Sequence, residues 1–412
     1  MEASARLQLD LAWANVHLHR DAATEAALDR VKVLLAQAGA DAPEAADLAV
    51  EADVVRSVLL IFSDRDEGVA ALLTECLSRP DTLRPYIVSV AANIASALEN
   101  RRFEYDKARR TQAWAMTYHL KTVGSFSLMF GYTLTGLAAN EQLDLAAAED
   151  SFRRALRVAE YSAGRRSHAT RLAGAQLGVL LYEQNRLPEA GRLLDESHEL
   201  GAEGGGVDFM VAEYAVGARL HAVRGDRAAA RARLDEGASV ADTLHVPRLR
   251  ARVENERVRL GFPATTTPVT FAARRRPVDG MGAVTAQAEE DTAIRLLLAE
   301  QRPDAIDRAC EWAREWVAML DGQRRPRALL DAKRLELVCL CAARRVDEAK
   351  ALFTEIAATC AARGMVRYLA DGGAGVVDIA RVVRDDQRGG TWPPAWQVVP
   401  AGFLDELVDL GV

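Results

Sequence analysis

The string LLYEQNRLPEAGRLLDES, Leu180–Ser197, sets two apolar helical stretches on either side of a short polar corner. Leu180 and Leu181 close the first stretch, Glu183–Arg186 form the corner, and Pro188 opens a second stretch that carries Leu193 and Leu194. Proline suits the first turn of a helix, where its missing N–H has no intrahelical acceptor to lose. Ala190 follows two residues later and is small, as a helix lying close against its predecessor requires. Such a unit is a helical hairpin, and one hairpin cannot bury its own apolar face. It needs copies of itself.

The copies are present. In LCAARRVDEAKALF, Arg345, Val346, Glu348 and Ala349 repeat Arg186, Leu187, Glu189 and Ala190 at a constant offset of 159 residues. That offset holds four units of about 40 residues. Weaker copies centre on Ala147 in ANEQLDLAAAEDSF, Ala229 in VRGDRAAARARL and Ala305 in AEQRPDAIDRAC. From Ala147 to Ala349 the successive separations are 43, 39, 76 and 44 residues, regular except for one double step. The double step contains Gly261–Val284, rich in Thr, Pro and Gly, which reads as a loop inserted into the stack.

These features predict an all-α superhelical solenoid of TPR-like two-helix repeats. The expected division is N-terminal helical repeats over 1–123, central repeats over 124–260, the inserted loop at 261–284, C-terminal repeats over 285–384, and an irregular cap or tether with a short terminal helix over 385–412. Half of the residues are apolar but only 6% are aromatic, a mixture that favours helices packed through small side chains.

Charge and motif content narrow the function. The net charge is -7 and the basic residues are dispersed, so the segment is not expected to touch nucleic acid directly. The apolar run Val54–Phe62 is broken by Arg56 and too short to span a bilayer, and Glu2 and Asp10 do not fit a signal peptide. A soluble, cytoplasmic protein is therefore expected. Cys76, Cys310, Cys339, Cys341 and Cys360 form neither an even framework nor a paired metal motif, consistent with a reducing compartment.

No catalytic residue, metal site or cofactor is expected. Gly201, Gly204, Gly205 and Gly206 lack the lysine of a phosphate loop and read as a helix stop. Arg274–Arg276 read as solvated loop charges. Cys339 and Cys341 stand about 200° apart on a helix and cannot share one metal. The seven histidines show no metal-binding spacing.

LLYEQNRLPEA closely resembles the corner of the helical region in MalT-like, LuxR-type transcriptional regulators. AARGMVRYLADGG, Ala361–Gly373, is similar to that region's terminal string, with Gly364, Arg367, Asp371 and Gly373 in place and Leu369 where the family has Phe. The resemblance covers roughly 120–383. It implies a sensor segment that receives a small-molecule effector or a regulatory protein and relays it to ATPase and DNA-binding modules, with self-association of the full-length regulator a further expectation. The chain holds neither a phosphate loop nor a basic helix-turn-helix, and so reads as an excised sensor. A stand-alone protein-interaction scaffold is the alternative.

First helices of such repeats line the concave surface. Tyr132, Tyr182, Phe209 and Tyr214 alternate there with Arg166, Arg171, Asp208 and Glu213. Arg171, Tyr182, Asp208 and Tyr214 are accordingly the expected effector-binding residues, converging on one groove.

Overall fold

The computed structural model describes residues 2–38, 43–124, 126–201, 205–273 and 280–411. Among these no strand is present, and successive helices pack on one another along the chain as an all-α, TPR-like solenoid. The N-terminal helices are α1 (Glu2–His17), α2 (Asp21–Ala38), α3 (Pro43–Phe62), α4 (Val69–Ser78), α5 (Pro85–Arg101) and α6 (Tyr105–His119). The central ones are α7 (Phe126–Glu141), α8 (Leu145–Ala163), α9 (His168–Glu183), α10 (Leu187–His198), α11 (Val207–Val211), α12 (Gly217–Val223), α13 (Arg227–Thr243) and α14 (Pro247–Arg259). A π-helical turn, Ala212–Val216, joins α11 to α12. Beyond lie α15 (Gly280–Ala299), α16 (Pro303–Leu320), α17 (Pro326–Ala342), α18 (Val346–Ala361), α19 (Val366–Ala370), α20 (Ala374–Gly389) and α21 (Ala401–Asp409).

The corners explain the repeat. Phe103, Leu143, Asn185, Gly225, Gln301 and Arg344 all have positive φ, and each stands two residues before the next helix begins. At the central corner Asn185 N–H donates to the Tyr182 carbonyl (2.9 Å) and Arg186 N–H to the Leu181 carbonyl (2.8 Å), the pair of bonds that closes a Schellman motif. Only one of those six corner positions is glycine, so the others hold a left-handed residue against its steric preference.

The buried repeat alanine is the fourth residue of its helix at Ala108, Ala148, Ala190, Ala230 and Ala349, and the third at Ala305. All six are 0% exposed. Ala147 and Ala229, the expected positions in two weaker copies, are only half-buried; the inward residue lies one further on. Asp144 and Asp226 cap these helices by accepting from the N–H groups of Ala147 (3.3 Å) and Ala229 (2.9 Å), which fixes the offset.

The double step holds two helices, α14 and α15, with the irregular stretch between them, and α15 packs directly on α14. Helix α15 begins at Gly280, inside the segment expected to be loop, while Arg274–Arg276 lie outside the described residues. Helix α19 interrupts the expected pattern at the terminal string, and it packs on α9 and α21. No described helix is long and apolar enough to cross a membrane.

Candidate functional site in the superhelix interior

The superhelix closes on itself. Arg363 Nε donates to the Leu143 carbonyl (2.8 Å), Arg367 Nη2 to Asn185 Oδ1 (2.9 Å), and Tyr182 OH to Asp371 Oδ2 (3.0 Å). Glu183 pairs with Arg327. The two strings that resemble regulator motifs therefore bind each other. At the other edge Arg248 Nη2 reaches Asp64 Oδ1 (2.8 Å), 184 residues away, and Nη1 reaches Asp208 Oδ1 (2.5 Å).

Closure leaves a cavity of about 460 Å³ between these contacts. One end is aromatic. Trp13 meets Tyr86 edge-on (centroids 5.4 Å apart), Phe126 stacks on Phe130 (6.3 Å), and Phe130 meets Phe209 edge-on (5.9 Å). His17 lies against Phe62 and Phe126; burial, then the neighbouring His168 and His19, push its pKa down to about 4.

The wall beneath is a hydrogen-bonded chain. Gln112 Nε2 donates to Asn93 Oδ1 (3.1 Å), so its Oε1 accepts from His119 Nε2 (3.0 Å), and the Ser89 hydroxyl then serves His119 Nδ1 (2.5 Å). Asn93 Nδ2 donates to the Ser127 carbonyl (3.0 Å). Gly131 makes room for this chain, since a Cβ there would stand 2.8 Å from Gln112 Oε1 and 2.9 Å from His119 Nε2.

The other end is charged. Arg101 is tied to Asp66 (2.7 Å), Asp64 (3.1 Å) and the Ile61 carbonyl (2.6 Å). Burial opposes ionisation of Asp208, but the Arg248 guanidinium outweighs it and holds the carboxyl below its usual range. Glu141 accepts from Tyr105 OH (3.3 Å), and burial, only partly offset by Arg327, raises its pKa. The Arg325 guanidinium lies 3.9 Å from the Phe103 ring centroid. Arg252 also lines this end and has no ion pair or hydrogen bond among the described residues.

Of the four expected effector residues, Asp208 alone lines the cavity. Tyr182 is fully buried as part of the closure, so it offers no groove surface. Tyr214 is fully buried too, between the His198 ring (5.6 Å) and Gly237. Tyr214 stands six positions after Asp208, inside the π turn, and the two face different sides. Arg171 pairs with Glu199 (2.7 Å) and does not line the cavity. Arg101, Arg252, Arg325 and Arg327 line the cavity without standing out in the sequence as candidate site residues. A signal existed on α14, where Arg248, Arg252 and Glu256 recur every fourth residue opposite Leu249 and Val253. Both faces of that helix are buried, one against carbon and one against charge.

Among the described residues no cluster of three or more His, Cys, Asp or Glu is placed to hold a metal, and the cysteines are unpaired. No protein-family model matches the chain. Serine/threonine-protein kinase PknK of Mycobacterium tuberculosis, strain H37Rv, is 44% identical over 374 residues, and its Mycobacterium bovis counterpart is equally similar. The match spans 90% of this chain. It covers 33% of PknK, so the chain spans about a third of the length of the curated relatives it matches. A solved Rap protein, complexed with competence and sporulation factor, superposes with a TM-score of 0.50 at 11% identity, covering 98% of this chain and 97% of that one. That likeness concerns the fold.

His19–Asp21 spells the start of a kinase catalytic loop, but Ala26 stands where that loop has its asparagine, and Asp21 accepts a hydrogen bond from Ser63 Oγ (2.7 Å) at the start of α2.

Proposed function

We propose that this chain is the effector-receiving regulatory region of a larger protein, taking a small molecule into the central cavity and relaying occupancy to modules outside the chain. Those modules are an ATPase and a DNA-binding unit if the MalT-like, LuxR-type resemblance governs, and a kinase if the PknK similarity does. One observation carries the proposal: helices from α1 to α17, among them α3, α5, α7, α11, α14 and α15, contribute to the cavity wall, so an occupant touches elements more than 300 residues apart in sequence. A ligand that prefers one closure of the superhelix over another shifts the balance between them, which is what a relay requires. The second reading, a protein-interaction scaffold, draws on the solved neighbour having been captured in a complex.

A thermal-shift screen of metabolites against the wild type and Ala97→Trp tests the proposal, because Ala97 lines the cavity and is half-buried. The expected hit stabilises the wild type and not the filled variant. A compound that stabilises both equally places the receiving surface elsewhere.

A further inference from the structure

We infer that the charged end of the cavity is an anion-binding subsite built by Arg252, Arg325 and Arg327, and that the occupant is an amphiphile of metabolite size with a carboxylate or phosphate head and an apolar body. The inference rests on the cavity being the receiving site proposed above.

Five arginines line the cavity, at 101, 248, 252, 325 and 327, against the three carboxylates of Glu141, Asp208 and Asp331. Arg101 and Arg248 are already satisfied by Asp64, Asp66 and Asp208. The other three keep open donors, although Arg327 also pairs with Glu183 and Arg325 Nη2 lies 3.5 Å from Gln287 Oε1. Arg252 has no polar partner among the described residues. Arg325 and Arg327 are 5% and 8% exposed, yet Arg325 Nε and Arg327 Nη1 lack any hydrogen-bond acceptor.

Buried guanidinium donors without acceptors are costly, and nearly all such groups in folded proteins find a partner. Two of them, with the half-buried, unpartnered Arg252 guanidinium lining the same cavity, leave a place whose missing component is an acceptor with several oxygens. Carboxylate and phosphate both fit the fork geometry of guanidinium groups. The raised pKa of Glu141 makes the protein's own carboxyl a weaker competitor for that place.

The remainder of the cavity defines the rest of the ligand. Trp13, Phe126, Phe130 and Leu134 offer carbon surface away from the arginines, and 460 Å³ falls in the range of small-molecule sites. An inorganic anion alone would leave that surface unused.

Isothermal titration with octanoate, octyl phosphate and octanol separates the contributions, using the full chain and the variants Arg252→Met, Arg252→Lys, Ala97→Trp and, as a remote control, Arg302→Met. Arg252 makes no hydrogen bond or ion pair among the described residues, so Arg252→Met is expected to fold, and circular dichroism checks this. At least one anionic probe should bind about tenfold or more tighter than octanol. Arg252→Met should remove that advantage while leaving octanol unchanged, Arg252→Lys should restore part of it, and Arg302→Met should have no effect. The tighter anion identifies the head group. Equal affinity for octanol and both anions, or indifference to Arg252→Met, overturns the subsite; if Ala97→Trp still blocks all three probes, the cavity survives as the receiving site. No binding by any probe overturns the subsite, while a metabolite hit that Ala97→Trp blocks would still uphold the cavity.

Discussion

The Tyr182 hydroxyl lies 3.0 Å from Asp371 Oδ2, a contact made across 189 residues of sequence. Both side chains sit in the superhelix interior, where Arg219 approaches the same carboxylate (3.6 Å). Tyr182→Phe removes the hydroxyl and leaves a buried carboxylate oxygen underbonded, at a cost of about 1–3 kcal/mol. Urea unfolding should show that loss, and more rapid hydrogen exchange in α19 than in α13 would place it at the closure. An unchanged midpoint would mean that the closure contributes nothing to stability.

Ala190 sits where α10 crosses α9, with Gly174 and Gly178 on the facing helix packed against Leu193 and Leu194. Ala190→Trp has no space to enter and should destabilise by about 1–3 kcal/mol. Arg192→Ala on the same helix loses only an exposed i,i+4 pair to Glu196, so its melting temperature should stay close to wild type. Equal melting temperatures for both variants would contradict the hairpin crossing.

His119 is 1% exposed, and burial lowers its pKa from 6.5 to about 4. The unfolded chain therefore binds the proton more readily than the folded one. Stability from this group is complete above pH 6.5, falls as the pH drops from there toward 4, and changes no further below 4. The full effect is about 3 kcal/mol, with His17 acting in the same direction. Melting temperatures measured from pH 7 to pH 4 should fall less steeply in His119→Gln than in wild type; parallel curves would count against it.

Arg344 is exposed and sits at a corner with φ of 55°. Glycine meets no Cβ penalty in that conformation, so Arg344→Gly should raise stability by about 0.5–1 kcal/mol despite its greater freedom when unfolded. The same change at Leu143 should not help, because that side chain is buried in the core. A lower melting temperature for Arg344→Gly would show that the arginine makes a contribution its exposed position does not reveal.

The helices were legible because amphipathic spacing and corner punctuation are local. Pro188, Pro303 and Pro326 each stand in the first turn of a helix. The one-residue slip at Ala147 and Ala229 arose in alanine runs, where side-chain size cannot mark the inward position; the Asp caps could have. Periodicity puts Tyr182 on its helix but not in its buried role, since it reports that a face is covered and not what covers it. Its partner arrives from α19 and the turn after it, a stretch whose five-residue helix is too short to show a period. The cavity arginines escaped notice for a related reason. Arginine in a helix usually reads as solvated, and only closure of the superhelix turns that face inward.

The π turn at Ala212–Val216 carries an evolutionary consequence. Such a turn contains one residue more than the α-helical path it replaces. Loss of one residue there is a shortening that a continuous helix from Val207 to Val223 can absorb while both of its corners stay in place. The deletion would rotate α11 by about 100° relative to α12. Asp208 and Phe209 would leave the cavity wall, and Arg248 would lose one of its two carboxylates. A single codon lost at this point would thus remove this wall while leaving the solenoid in place.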